Sequence, residues 1–457
     1  MTETRFHLSR LAPIVVFILL YTVTPCAHAH SLRAWIVSAD GTGPWTKING
    51  SDYPFSLLRA VDFDKNGKAD IFVASGGKWF LSQDGVGAWQ QINASNVPVG
   101  DLRFGDFDND NHTDVFTTWG GKWRISSGGK GGWQVINTSS VGVSDLGFAD
   151  FNGDGRTDVF ATWGGKWRVS FGGTSNWQVI NTSSLTVKDL RFGDFNGDGK
   201  ADVFSTWGGK WHVSFGGTGP WKDLNTSSLV VADLVLADFV GDAKTDVFAS
   251  WGGKWRVSSG GTGGWQVINT SSYGVSQLLF GNFLGSSKSD VFTTAAEKHV
   301  SLDIRRFPTT PLGDAAADSI TAGATTALQI NDGPGDEACF VHFSRDAGVA
   351  LLASGDGSID SSAEFNAAVS LPGNVMVVNQ INWCSGFQAG IIGCSPTPGD
   401  SEVVTRFPGS MEGLLWAHEY GHTRGLQHRS DPNAIMFPFI GPTNKRVTAS
   451  ECNAFHQ

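Results

Sequence analysis

Between about residues 33 and 303 the apolar and polar positions alternate in runs too short for helices. Leu102 to Phe107, Asp114 to Thr118, Trp123 to Ser126 and Trp133 to Asn137 each alternate with period two, and pairs of glycines punctuate them. Such runs predict half-buried strands in sets of four. The whole set then recurs. The stretch beginning Asp62-Phe63-Asp64 reappears at Asp106, Asp150, Asp194, Asp238 and Asn282, each 44 residues after the last. A four-strand unit repeated at this period predicts the blades of an all-β propeller. The ends of the array differ from its middle: residues 35 to 49 match only the last two strands of a unit, and the final unit, Leu278 to Ile304, matches the first three. An N-terminal strand is therefore expected to complete the last blade, with six blades as the simplest count and seven as the alternative.

Past residue 304 the pattern changes. An Ala-rich helical stretch near Asp314 to Leu328 precedes strand-like runs at Ala338 to Phe343, Val349 to Ala353 and Asn374 to Ile381, which is an α+β mixture. The expected organisation is a signal peptide at 1–29, the propeller at 30–304, a linker at 305–312 carrying Arg305-Arg306, and an α+β domain at 313–457. The signal rests on Arg5 and Arg10, the apolar run Leu11 to Val23, and the small-x-small site Ala27-His28-Ala29. That run falls short of the ~20 residues that span a bilayer. It implies export to the extracellular space or a periplasm, with no stable membrane insertion. A length of 457 residues suits two or three domains, and a net charge of -10 speaks against nucleic acid or an anionic membrane as the main partner. Removal of the signal takes Cys26 and leaves Cys339, Cys384, Cys394 and Cys452. An even number in an exported chain suggests two disulfides, for which three pairings exist. The expected one joins Cys384 to Cys394 across a short loop and ties in the C-terminus through Cys339 and Cys452.

Chemistry enters first through the Asp-rich loop of each repeat. Oxygens at loop positions 1, 3, 5 and 9, with Gly at 6 for the sharp turn, can wrap a hard cation. The sets are Asp62, Asp64, Asn66 and Asp70; Asp106, Asp108, Asp110 and Asp114; Asp150, Asn152, Asp154 and Asp158; and Asp194, Asn196, Asp198 and Asp202. The fifth loop substitutes Val240 and Ala243, and the sixth carries Asn282, Leu284 and Ser286. About four structural Ca2+ sites are expected, with one loop weakened and one lost. On these loops, led by Phe104-Gly105-Asp106-Phe107 and Phe192-Gly193-Asp194-Phe195, the array resembles the FG-GAP or VCBS repeats of integrin-α-like propellers. That resemblance implies an extracellular binding or scaffolding role with structural calcium. Sixteen of the 18 tryptophans lie in the array, in pairs such as Trp119 with Trp123. Inter-blade packing is the favoured reading, and a stacking platform for surface glycan is the other. The Asn-Thr-Ser triplets at Asn137, Asn181, Asn225 and Asn269 read as inter-blade turns.

The segment His418-Glu419-Tyr420-Gly421-His422-Thr423-Arg424-Gly425-Leu426-Gln427-His428 carries the second chemistry. On a helix starting near Ser410, His418 and His422 sit one turn apart on one face, suited to one Zn2+. Glu419 lies beside them, placed to take a proton from the attacking water. Gly425 can end the helix in a left-handed turn, which returns His428 as a third ligand. In full this is H-E-x-x-H-x-x-G-x-x-H, and over about 145 residues the chain resembles the metzincin clan of zinc endopeptidases. The resemblance implies Glu419 as general base and acid, Met436 in Asn433-Ala434-Ile435-Met436-Phe437-Pro438 as the Met-turn beneath the histidines, and a strand above the cleft that pairs with extended substrate, for which Asn374 to Ile381 is the candidate. No Tyr follows the Met-turn. The expected function is a secreted zinc endopeptidase acting on extracellular proteins, with the propeller docking it to substrate or surface. A calcium-dependent adhesin or lectin-like protein with a vestigial peptidase domain is the alternative.

Overall fold

The computed structural model describes residues 33–330, 336–352, 355–407 and 409–457. The signal-peptide reading lies outside them. The repeats form six four-stranded antiparallel sheets, which sets the blade number at six. Five are built from consecutive strands, and the sixth is composite. In it the N-terminal strands Arg33–Ser38 and Trp45–Ser51 join Leu279–Gly281 and Asp290–Ala296, with Arg33 opposite Ala296 and Ser38 opposite Val291.

One asparagine per blade clasps the next. Asn137 Nδ2 donates to the carbonyls of Gly173 and Ser175 at 3.0 and 3.1 Å, and Asn181 and Asn225 repeat the contact. Asn269 closes the ring on Gly41 and Gly43 at 3.1 and 3.2 Å, while Asn49 carries the composite blade on to Ser82 and Gly87. The Asn-Thr-Ser triplets are thus inter-blade fasteners.

Each blade buries one indole completely: Trp35, Trp79, Trp123, Trp167, Trp211 and Trp255. Withdrawing ~200 Å² of each from water is worth about 5 kcal/mol before entropy is charged. Their companions Trp119, Trp163, Trp207 and Trp251 stay 38–41% exposed. One face of each is nevertheless covered: Arg124, Arg168 and Arg256 lie 3.8–4.0 Å over Trp119, Trp163 and Trp251, and the His212 ring stacks on Trp207 at 3.4 Å. A ring already covered by a guanidinium or an imidazole is not a free platform for sugar on that face, which favours packing.

Three expectations are corrected. The last repeat keeps two strands in the propeller, not three. Strand Arg33–Ser38 takes the third-strand place beside Asp290–Ala296, so Lys298–Leu302 leaves the ring and pairs in parallel with Val341–Arg345. Residues Arg305 and Arg306 are not linker: Ile304–Arg306 is a strand between Ala350–Leu351 and Val375–Val378. The α+β part therefore begins at Lys298. Lastly, Val375–Val378 is the central strand of a five-stranded sheet, fully buried, with no edge left to offer a substrate. The order runs Ala350–Leu351, Ile304–Arg306, Val375–Val378, Glu402–Thr405, Gly393–Cys394, and only the last, an edge, is antiparallel.

Helices Asp314–Gln329 and Glu412–Thr423 cover one face of this sheet, and a second apolar cluster around Phe365, Met376, Val378 and Val403 fills the other. Disulfides join Cys339 to Cys452 and Cys384 to Cys394. No helix among the described residues is long and apolar enough to cross a membrane.

Candidate functional site

The helix Glu412–Thr423 is buried along almost its whole length, and its first-turn Glu412 is held by the Arg406 guanidinium at 2.7 Å. It stops at Gly425, whose φ of +85° is the left-handed turn that glycine accepts without cost. There the Gly425 N–H donates to the His422 carbonyl at 2.9 Å and the Leu426 N–H to that of Gly421 at 3.0 Å. The chain reverses, and His428 returns toward the helix. Its Nε2 lies 3.1 Å from Nε2 of His422, which in turn lies 3.1 Å from Nε2 of His418.

The outer nitrogens explain what these inner ones can do. His418 Nδ1 meets the Ile435 carbonyl at 2.7 Å and His422 Nδ1 the Leu426 carbonyl at 2.8 Å. A carbonyl only accepts, so each Nδ1 carries the proton and each Nε2 presents a lone pair inward. Burial drives the His418 pKa down to about 3 and lowers those of His422 and His428. Three imidazoles converging through Nε2, with the lone pairs of His418 and His422 turned inward, suit a divalent cation of the zinc type, with backbone carbonyls orienting those two ligands.

Met436 lies directly beneath. A Cβ added to Gly421 would come within 2.5 Å of its Sδ, so the helix rests on the thioether only because residue 421 has no side chain. Glu419 is 4% exposed, and burial raises its pKa to about 7, while the Ser395 hydroxyl, donating to Oε2 at 2.7 Å, acts the other way. Glu402 lies next to it in charge terms. Its carboxyl is buried, with Oε1 lacking a partner, and its pKa is raised far above the usual range by burial and then by Glu419. Neither Ser395 nor Gly393, whose backbone also abuts Glu419, could be read from spacing, because they reach the site from the edge strand Gly393–Cys394 and the residue after it.

The loop carboxylates fall into two kinds. Position 9 is an Asp in all six repeats and acts as a backbone staple. Asp70 Oδ2 accepts from Phe63 N–H at 2.9 Å and Oδ1 from Asp84 N–H at 2.7 Å; Asp290 does the same for Phe283 and Asp40. This explains its presence in the fifth and sixth loops, where Asp246 and Asp290 take up a further N–H from Val240 and Leu284. Burial lifts Asp70, Asp114 and Asp158 to pKa values of about 6. In the first two loops, oxygens of Asp62, Asp64 and Asp70, and of Asp106, Asp108 and Asp114, gather within 4.8 Å. In the third and fourth, Asn152 and Asn196 instead donate to Asp154 and Asp198.

Two family models match the chain: the FG-GAP-like repeat over residues 150–205 and Matrixin, of the M10 peptidases, over residues 407–454. The polypeptide thus joins FG-GAP-like repeats to matrixin-like sequence, which supports a metallopeptidase and, with it, zinc. No curated protein matches in sequence. Among solved structures, the Photorhabdus luminescens Tc holotoxin pore is 14% identical with a TM-score of 0.40, the match covering 58% of this chain and 14% of that one. An Agrocybe aegerita lectin is 14% identical, TM-score 0.41, covering 57% and 85%. TolB of Acinetobacter baumannii is 13% identical, TM-score 0.36, covering 53% and 64%. This chain therefore spans about one seventh of the length of the toxin chain.

Proposed function

We propose that the protein is an exported zinc-dependent endopeptidase that hydrolyses peptide bonds in extracellular proteins, held to its substrate or to a surface by a calcium-stabilised propeller. The observation that carries the reading is the convergence of three Nε2 atoms, 3.1 Å apart along the chain of contacts, beside a buried carboxylate. His418, His422 and His428 would hold Zn2+, and the ion when bound supplies a Lewis acid for the scissile carbonyl. Glu419, one residue along the helix from His418, takes the proton of the attacking water and returns it to the departing amine. The burial that raises its pKa toward neutrality suits it to both halves of that transfer. The antiparallel edge strand Gly393–Cys394, beside Glu419, replaces Val375–Val378 as the strand on which extended substrate would lie. Asp and Asn oxygens of the first four propeller loops would hold structural Ca2+, the first two loops with three carboxylates already gathered.

The test is a casein zymogram of the mature protein and of Glu419→Ala, with zinc measured in both. Loss of hydrolysis with zinc retained is expected. Equal cleavage by the two proteins would overturn the assignment.

A further inference from the structure

The segment Gly393-Cys394-Ser395 touches the candidate base on both carboxylate oxygens. Ser395 Oγ donates to Glu419 Oε2 at 2.7 Å, and no other side chain or amide among the described residues hydrogen-bonds that carboxylate. Oε1 packs over Gly393, where even a methyl group would collide with it. Between these two contacts the chain is anchored twice: Cys394 pairs with Val403 in the sheet and is cross-linked to Cys384. Cys394 itself is 3% exposed, so this anchor is buried.

A glutamate on a helix has three side-chain torsions to restrain. One fixed hydroxyl, 2.7 Å from Oε2, selects a rotamer and aims the second oxygen. A hydroxyl also carries lone pairs, so after the carboxylate has been protonated the same Oγ can accept from it.

We infer that Ser395 is a positioning residue for Glu419, held in register by the Cys384–Cys394 cross-link, and that it serves turnover rather than substrate binding. The inference rests on the peptidase reading above and deepens it. A hydrogen bond to a charged group that is lost in the reacting state lowers kcat by about 10- to 100-fold. Since Ser395 acts through Glu419, KM should remain within about twofold, an order-of-magnitude expectation for a residue outside uniform binding.

The experiment compares the full chain with Ser395→Ala, Ser395→Thr, Ser395→Val and Glu419→Ala, measuring kcat and KM on a fluorogenic peptide, zinc content and Tm. Thr and Val have one size and differ in the hydroxyl, so Thr should retain most of kcat and Val should lose it, with zinc content and Tm alike. If Ala unfolds the protein, the Thr and Val pair still decides. Equal kcat in Thr and Val, or a loss confined to KM, overturns the inference while leaving the peptidase reading in place. A Glu419→Ala protein as active as the wild type overturns both.

Discussion

Gly393→Ala probes the site at its tightest point. The added Cβ would stand 2.6 Å from Cδ and 2.8 Å from Cγ of Glu419, with Oε1 closer still. Ordinary contact begins at 3.4 Å, so Cδ must retreat by about 0.8 Å and Oε1 by more, or the edge strand must yield. The strand is held by its pairing with Val403 and Val404 and by the Cys384–Cys394 disulfide, which leaves the glutamate to move. Misplacing a catalytic group by about 1 Å costs ~100-fold in rate, equivalent to about 2.7 kcal/mol. The fold should not suffer. Gly393 is not among the positive-φ glycines, so its backbone accepts alanine, and such a change gives about 0.4–1 kcal/mol through the unfolded chain. The assay is kcat/KM on a fluorogenic peptide with zinc content and Tm measured on the same preparation. A variant with wild-type zinc, unchanged Tm and kcat/KM within twofold of the parent would show that Glu419 does not depend on that contact.

Three other outcomes follow from the same geometry. Asn269→Ala removes the clasp that closes the ring and leaves the Gly41 and Gly43 carbonyls without it, so it should cost about 1–3 kcal/mol, as much as Asn137→Ala between internal blades; urea unfolding that finds the closing clasp worth nothing contradicts a sealed ring. Burial raises Asp70, Asp114 and Asp158 from the ordinary 3.8 to about 6, so without cation their contribution to stability is fully present below pH 3.8 and lost as pH rises to about 6. Bound Ca2+ favours the ionised form, so in a His428→Ala protein stripped of zinc a calcium-dependent rise in Tm should grow as pH climbs through about 6, and a Tm indifferent to calcium at pH 7 rejects these sites. Glu402 has a raised pKa, so its contribution is present at low pH and lost as pH rises through the folded value; Glu402→Gln should flatten that decline in Tm, and an unaltered pH profile would place the decline elsewhere.

The six blades and the histidine triad were legible from sequence because both are local repeats: a 44-residue period in one case and a helical turn plus a glycine reversal in the other. What was not legible concerns which elements become neighbours. Alternation marks Lys298–Leu302 as a strand but does not say that the N-terminal strand takes its place in the ring. The apolar run around Val375–Val378 suits an edge above a cleft as well as a sheet centre until pairing partners are known. The Asp at position 9 has the spacing of a ligand, while its two backbone bonds exist without any ion and account for its presence in the loops where position 3 is Val240 or Leu284. Ser395 carries no signal in its neighbours, since its role depends on a helix residue 24 positions away.

The composite blade sets an order of events during synthesis. Strand Arg33–Ser38 emerges ahead of the five other blades, yet half of its pairing is with Asp290–Ala296, which follows more than 250 residues later. Until then the edge that meets Asp290–Ala296 lies bare, an invitation to strand exchange with other nascent copies. Five blades can assemble one after another while this rim waits, and the domain bearing Glu419 starts immediately after the partner that finally covers it. Completion of the wheel and the start of the domain bearing the three histidines are therefore consecutive on one ribosome, and a chain that fails to close carries that domain on an open array of blades.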